Sequence, residues 1–143
     1  MVTYELWFDG GARGNPGPAA AGVVIKDDEG RTVLEHGEYL GRATNNQAEY
    51  TAFRIGLEEL FARLEQEAQE ADELSLDVRT DSQLLQKQID DVWDTNDDDL
   101  SAIQDEIRTL LSRLNNWDVQ HVPREENKQA DRLVNETLDQ RNK

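Results

Sequence analysis

The stretch Phe8-Asp9-Gly10-Gly11-Ala12-Arg13-Gly14-Asn15-Pro16-Gly17-Pro18 constrains the fold more than any other. The apolar residues Tyr4, Leu6, Trp7 and Phe8 ahead of it read as a strand that ends at Asp9. Four glycines and two prolines follow, so the backbone is expected to leave the sheet through tight turns with little side-chain bulk. One carboxylate is thereby placed on a rigid strand, beside a loop whose backbone a ligand can approach closely. Taken alone, an Asp-Gly pair is an ordinary turn opener. The rest of the chain decides between the two readings.

Two further strands are expected, Ala20–Lys26 and a run opening at Thr32 or Val33 and reaching Leu40, joined through Asp27–Arg31 as an antiparallel meander. Thr44-Asn45-Asn46-Gln47-Ala48-Glu49 is a cluster of capping residues that opens a helix, with an Asn expected at the cap and Glu49 in the first turn. Phe53, Leu57, Leu60, Phe61 and Leu64 recur at helical spacing and form its buried face. The acidic run Glu65–Glu73 ends that helix or loops out. Leu74, Leu76 and Val78 alternate with polar residues as a fourth strand ending at Asp81, and Leu84, Leu85 and Ile89 mark a short helix from Ser82. An acidic linker, Asp94–Asp99, leads to a helix carrying Leu100, Ile103, Ile107, Leu110, Leu111 and Leu114. Trp117–Val122 is a fifth strand stopped by Pro123, and a last helix from about Asn127 turns Ala130, Leu133, Val134 and Leu138 inward. The pattern fits one α/β domain over residues 1–143.

Charge is where composition enters the argument. Thirty-one acidic against 15 basic residues give a net charge of −16, which disfavours a polyanionic partner at low salt. Concentrated salt removes that objection, because the Debye length falls to about 3 Å at molar ionic strength. Arg outnumbers Lys on a strongly acidic surface, the composition expected of a protein suited to a salty cytoplasm. The opposing reading is an acidic interaction protein that never meets nucleic acid. No cysteine is present, so disulfides and thiolate metal sites are excluded. No apolar run approaches membrane-spanning length and the N-terminus lacks the regions of a signal peptide, so a cytoplasmic, monomeric protein away from membranes is expected.

If strands one and four lie side by side, Asp9 and Asp81 meet at their ends, and flanking helix starts can add Glu49 and Asp131. Four carboxylates in one place repel unless a cation joins them, and an all-oxygen donor set favours Mg²⁺ or Mn²⁺ over Zn²⁺. Each acid has a bland alternative: Glu49 and Asp131 suit a helix N-terminus, and Asp81 suits a cap. Strand order decides.

Asp9-Gly10-Gly11 with Gly14-Asn15-Pro16-Gly17-Pro18, then Thr44 to Glu49, Thr80-Asp81-Ser82, and Asn127-Lys128-Gln129-Ala130-Asp131, resemble in order and spacing type 1 ribonuclease H over nearly the whole chain. The resemblance implies a five-stranded mixed sheet of order 3-2-1-4-5 flanked by helices. It implies hydrolysis of the RNA strand of RNA–DNA hybrids with two Mg²⁺ or Mn²⁺ ions, leaving 5′-phosphate and 3′-hydroxyl ends. Asp9, Glu49, Asp81 and Asp131 are then the catalytic metal ligands, with Asp9 bridging both ions and Glu49 also contacting a 2′-hydroxyl. By the same resemblance Gly10 and Gly11 approach the RNA strand through their backbone, and Asn15, Asn45, Asn46 and Gln47 read the minor groove. Arg42 and Thr44 hold a DNA-strand phosphate, Arg42 being otherwise a solvated surface charge.

Two departures from the family stand out. The basic, Trp-rich helix and loop by which many bacterial members grip the hybrid is replaced by the acidic Asp90–Asp99 run. The mobile-loop His is missing as well. His121 lies inside the fifth strand and is expected to face packing, by parity with Val119, so Arg124 becomes the candidate for contacting phosphate and aiding product departure. His36 is expected to be structural. Alternatives to the hybrid nuclease are a broader nuclease that also cuts double-stranded RNA or RNA–DNA junctions, and a non-catalytic hybrid-binding module of the same fold.

Overall fold

The computed structural model describes residues 2–90 and 98–141. The elements run β1 (Val2–Ala12), β2 (Gly17–Lys26), β3 (Thr32–Ala43), α1 (Asn45–Gln66), β4 (Leu74–Thr80), α2 (Gln83–Asp90), α3 (Asp98–Leu111), β5 (Asn116–His121) and α4 (Lys128–Arg141). Short 3₁₀ turns cover Ala71–Glu73 and Arg124–Glu126. The strands form one sheet of order β3-β2-β1-β4-β5. β1, β2 and β3 are antiparallel neighbours, while β1–β4 and β4–β5 are parallel. The mixed sheet and its order are those expected.

The end of β1 departs from expectation. β1 does not end at Asp9 but continues through Gly10 and Gly11 to Ala12, paired with β2 as far as Ala12↔Ala19. The tight turn comes later, at Arg13–Gly17, where the Arg13 N–H donates to the Pro18 carbonyl at 2.8 Å. Gly10 serves packing there, whereas a Cβ on Gly11 would make only an ordinary contact with the Val134 side chain. A Cβ on Gly10 would strike the Ala48 carbonyl, so its bareness lets α1 approach the strand. Pairing with β4 stops earlier, at Trp7↔Arg79. Asp9 therefore stands past the β1–β4 ladder on a strand still held by β2.

α1 packs on one face of the sheet. Phe8 stacks on Phe53 with ring centroids 4.9 Å apart, and Leu6 lies against Gly56. α3 packs on α1 in turn, through the buried Leu100, Ile107 and Leu111. On the opposite face α4 covers β2 and β3 through Ala130, Val134 and Leu138. Gly22, paired with Asp9, lets the α4 backbone come close, since a Cβ there would meet the Ala130 carbonyl.

α1 is capped by Thr44 rather than by an asparagine. The Thr44 side chain accepts from the Gln47 N–H at 3.1 Å, and the Gln47 side-chain Oε1 accepts from the Thr44 N–H at 3.0 Å. This reciprocal box satisfies two backbone donors at once, which a lone Asn cannot do. It also puts Glu49 in the second turn, outside the first-turn position expected. Leu84 is 53% exposed, unlike Leu85 and Ile89, which enter the core. Residues 91–97, which include 94–97 of the acidic linker, lie outside the described residues. No helix among the described residues is long and apolar enough to cross a membrane.

Candidate active site

Four elements converge where β1 outruns β4. Asp9 comes from β1, Glu49 from α1, Asp81 from the residue after β4, and Asp131 from the first turn of α4. Ligand oxygens of Asp9, Glu49 and Asp81 all lie within 4.8 Å of one another. Asp131 lines the same cleft as Asp9 and Glu49, close enough to help raise the Asp9 pKa. All four expected acids meet, with Asp9 at the centre.

The electrostatics are those of crowded anions. Asp9 is 8% exposed, and its pKa rises to about 7. Burial is the largest cause, followed by the Asp81 charge, with Asp131 adding to it and a hydrogen bond from Glu49 opposing it. Glu49 is pushed well above the usual carboxylate range, first by burial and then by the Asp9 charge, while a hydrogen bond from the Gly10 backbone pulls the other way. Its Oε2 is buried and has no hydrogen-bond partner among the described residues. Crowded carboxylates that repel one another, with one buried oxygen lacking a donor, are the setting a hard divalent cation satisfies. The donor set contains neither nitrogen nor sulfur, so it fits such an ion and disfavours a soft one.

Asn127 is a functional residue that sequence reasoning passed over, although it stands in one of the motifs. It is 1% exposed, and its Nδ2 donates to the Phe8 carbonyl at 2.8 Å and to Asp81 Oδ2 at 3.4 Å. Both neighbours are acceptors, which fixes the amide orientation. The Asp131 N–H donates to the Asn127 carbonyl at 3.1 Å. One side chain thus ties β1 to the Asp81 corner at the start of α4. The signal available in the sequence was an amide four residues before an expected ligand.

Asp9, Glu49 and Asp131 open into a cleft of about 370 Å³, lined also by Gly10, Gly11, Arg13, Asn45 and Arg124. A second cleft of about 310 Å³ continues past Glu49 and Asp81 to Asn15, Asn46, Ser82 and Leu84, and Arg124 lines both. Asn45 Oδ1 accepts from the Ala12 N–H at 2.9 Å, and the Asn45 N–H donates to Asn15 Oδ1 at 3.0 Å. These two asparagines lock the glycine loop onto the start of α1. Gln47 and Thr44 are engaged in the cap, yet the Thr44 hydroxyl accepts there and keeps its own proton to donate. Arg42 is exposed near the end of β3 and lines neither cleft.

His121 does not face packing. It is exposed while Val119 is buried, because the last residue of an edge strand reaches solvent, and it lines neither cleft. His36 is half-buried, with Nε2 3.0 Å from Glu38 and 3.9 Å from Glu59 on α1, in keeping with a structural residue.

Residues 7–137 match the family model described as reverse transcriptase-like. The chain is 47% identical over 135 residues to ribonuclease HI of Halobacterium salinarum, covering 94% of this chain and 64% of that protein's length. It is 37% identical over 132 residues to the bifunctional protein Rv2228c of Mycobacterium tuberculosis, covering 92% of this chain and 34% of that one. Among solved structures, RNase H1 from the halophilic archaeon Halobacterium salinarum superposes with a TM-score of 0.86 at 44% identity, covering 96% of this chain and 98% of that chain. LC11-RNase H1 in complex with an RNA/DNA hybrid gives 0.86 at 38% identity, covering 98% and 99%. With its sheet order and its four convergent acids, the chain belongs to the reverse transcriptase-like family as a type 1 ribonuclease H-like domain.

Proposed function

We propose that the protein is a ribonuclease H, an endonuclease that hydrolyses the RNA strand of RNA–DNA hybrids at the four-carboxylate centre. The observation that carries the reading is the convergence of Asp9, Glu49, Asp81 and Asp131 around Asp9, all four intact, with Asp9, Glu49 and Asp131 lining one cleft and Glu49 and Asp81 the adjoining one. A non-catalytic binding module would tolerate the loss of any of them.

In this reading Asp9, Glu49, Asp81 and Asp131 would hold two divalent ions, Mg²⁺ or Mn²⁺. The need of the ribonuclease H family for a divalent metal supports it, as do the unpartnered Glu49 oxygen and the all-oxygen donors. Such ions, when bound, supply Lewis acidity that activates the attacking water and neutralises the leaving oxygen. Water attacks the phosphorus and the P–O3′ bond breaks, leaving a 5′-phosphate and a 3′-hydroxyl. Glu49, which lines both clefts, accepts a hydrogen bond from the 2′-hydroxyl, the group by which RNA differs from DNA. Asn15, Asn45, Asn46 and Gln47 meet base edges and sugars with little sequence preference, and the Gly10 and Gly11 backbone lies against the RNA strand. Arg42 and Thr44 take a DNA-strand phosphate. Arg124, lining both clefts, takes the phosphate side of the product. The protein acts as a monomer on this account, and double-stranded RNA and RNA–DNA junctions are further substrates to be compared with the hybrid.

The test is Asp9→Asn, which removes one charge at nearly constant shape. Cleavage of a labelled hybrid should fall at least about a thousandfold, as expected for loss of a metal ligand, with the circular dichroism spectrum unchanged. Wild-type cleavage by that variant would sink the assignment. Hybrid binding without cleavage by the unaltered protein would favour the binding module.

A further inference from the structure

Two guanidinium groups, those of Arg13 and Arg124, line the carboxylate cleft among the described residues. Arg13 is held at both ends. Its backbone closes the β1–β2 turn through Pro18, and its Nη2 lies 2.7 Å from Asp139 Oδ1 and 3.4 Å from the Asn135 carbonyl on α4. Asn135 and Asp139 follow Asp131 at helical i, i+4 and i+8 spacing, so they continue along one face of α4 from the catalytic centre. The Arg13 and Asp139 side chains are 40% and 64% exposed, which leaves the pair open to exchange.

We infer that Arg13 is a contact for a substrate phosphate, kept in reserve by Asp139; the inference rests on the ribonuclease reading given above. A phosphodiester entering a cleft walled by Asp9, Glu49 and Asp131 must be met by positive charge, and a guanidinium suits a phosphate's paired oxygens. In the free protein Asp139 occupies that guanidinium. An exposed ion pair is weak, so a phosphate in the cleft displaces the carboxylate at little cost. Asp139 therefore competes with substrate at low salt. The competition fades in concentrated salt, where the Debye length drops to about 3 Å. The contact is held back in dilute solution and released under the conditions that also screen the protein's net charge of −16.

The experiment is a double-mutant cycle on an end-labelled RNA–DNA hybrid, measuring kcat and KM for the wild type, Asp139→Asn, Arg13→Ala and the double variant. At about 0.1 M KCl, Asp139→Asn should lower KM about two- to fivefold, the range of an exposed pair, with kcat unchanged. That gain should vanish at about 1 M KCl. Arg13→Ala should raise KM and reduce the slope of log KM against log salt by about one, as for the loss of one phosphate contact. In the Arg13→Ala background the Asp139 substitution should leave KM unmoved. An equal effect of Asp139→Asn with and without Arg13 would mean a general charge effect and overturn the inference, as would no effect at either salt concentration. Failure of the wild-type protein to cut the hybrid would instead bring down the ribonuclease reading itself.

Discussion

Asn127 and Asp9 illustrate two kinds of residue, one that positions and one that reacts. Asn127 satisfies the Phe8 carbonyl just beyond the last β1–β4 pair and reaches Asp81 with the same nitrogen. Asn127→Ala should cost about 1–3 kcal/mol by leaving that buried carbonyl unpaired. It should also lower kcat with little change in KM, measured by denaturant unfolding and steady-state kinetics. For Asp9 the sign of the pH effect follows from its raised pKa. The folded state holds the proton up to about 7 and the unfolded state releases it near the ordinary 3.8. Between those values the folded state binds more protons, so this group's contribution to stability declines as pH rises through that window and stays lost above it. Asp9→Asn is neutral throughout. The metal-free variant should therefore match the wild type near pH 4 and exceed it in Tm by a margin that grows until about pH 7. Added Mg²⁺ should raise the wild-type Tm more at pH 8 than at pH 5, where protons compete for the ligands. All four acids were legible because each stands in a motif with fixed neighbours. The work of Asn127 was not, because its main partner is a backbone carbonyl from the far end of the chain, which no side-chain pattern reports. His121 misled for a related reason: parity gives the face of a strand but not whether anything covers its end.

At the scale of elements, the site depends on β1 outrunning β4 and on two helices brought hard against it. Gly10→Ala would drive a Cβ into the Ala48 carbonyl, a backbone atom with no freedom to yield. Thermal or urea unfolding should show a loss of about 1–3 kcal/mol or more, and divalent-metal binding should weaken as Glu49 moves away from Asp9. α4 is fastened to the sheet from several sides. Arg132 pairs with Glu35 at 2.7 Å, Gln129 donates to Thr32 at 3.1 Å, and Arg141 lies 4.6 Å from the centre of the Tyr39 ring. Each tie is weak where it is exposed, but all restrain the helix that carries Asp131. The strands and helices were legible from period and capping chemistry. The exit of β1 was misjudged because two adjacent glycines read as a turn, whereas here both stay in the strand and Gly10 makes room for the α1 backbone. The cap was misassigned among neighbouring Thr and Asn residues, where only the reciprocal partner, Gln47, singles out Thr44.

The whole molecule carries a net charge of −16, and among the described residues two cations, Arg13 and Arg124, line the larger carboxylate cleft. Self-repulsion of this size opposes compaction, and salt relieves it. Tm should rise as KCl goes from about 0.1 M to about 1 M, where the Debye length shrinks from about 10 Å to about 3 Å. A basic grip on the hybrid was not expected from the Asp90–Asp99 run, and positions 91–97 of that run lie outside the described residues. The likeness to a relative from a halophilic archaeon agrees with the composition. The most direct test of the account is cleavage of an RNA–DNA hybrid labelled on each strand in turn, beside double-stranded RNA and double-stranded DNA, with Mg²⁺ or Mn²⁺ and with chelator. The account predicts cutting of the hybrid's RNA strand to 3′-hydroxyl and 5′-phosphate ends, abolished by chelator. Cleavage that persists without divalent metal, or cutting of the DNA strand, would contradict it.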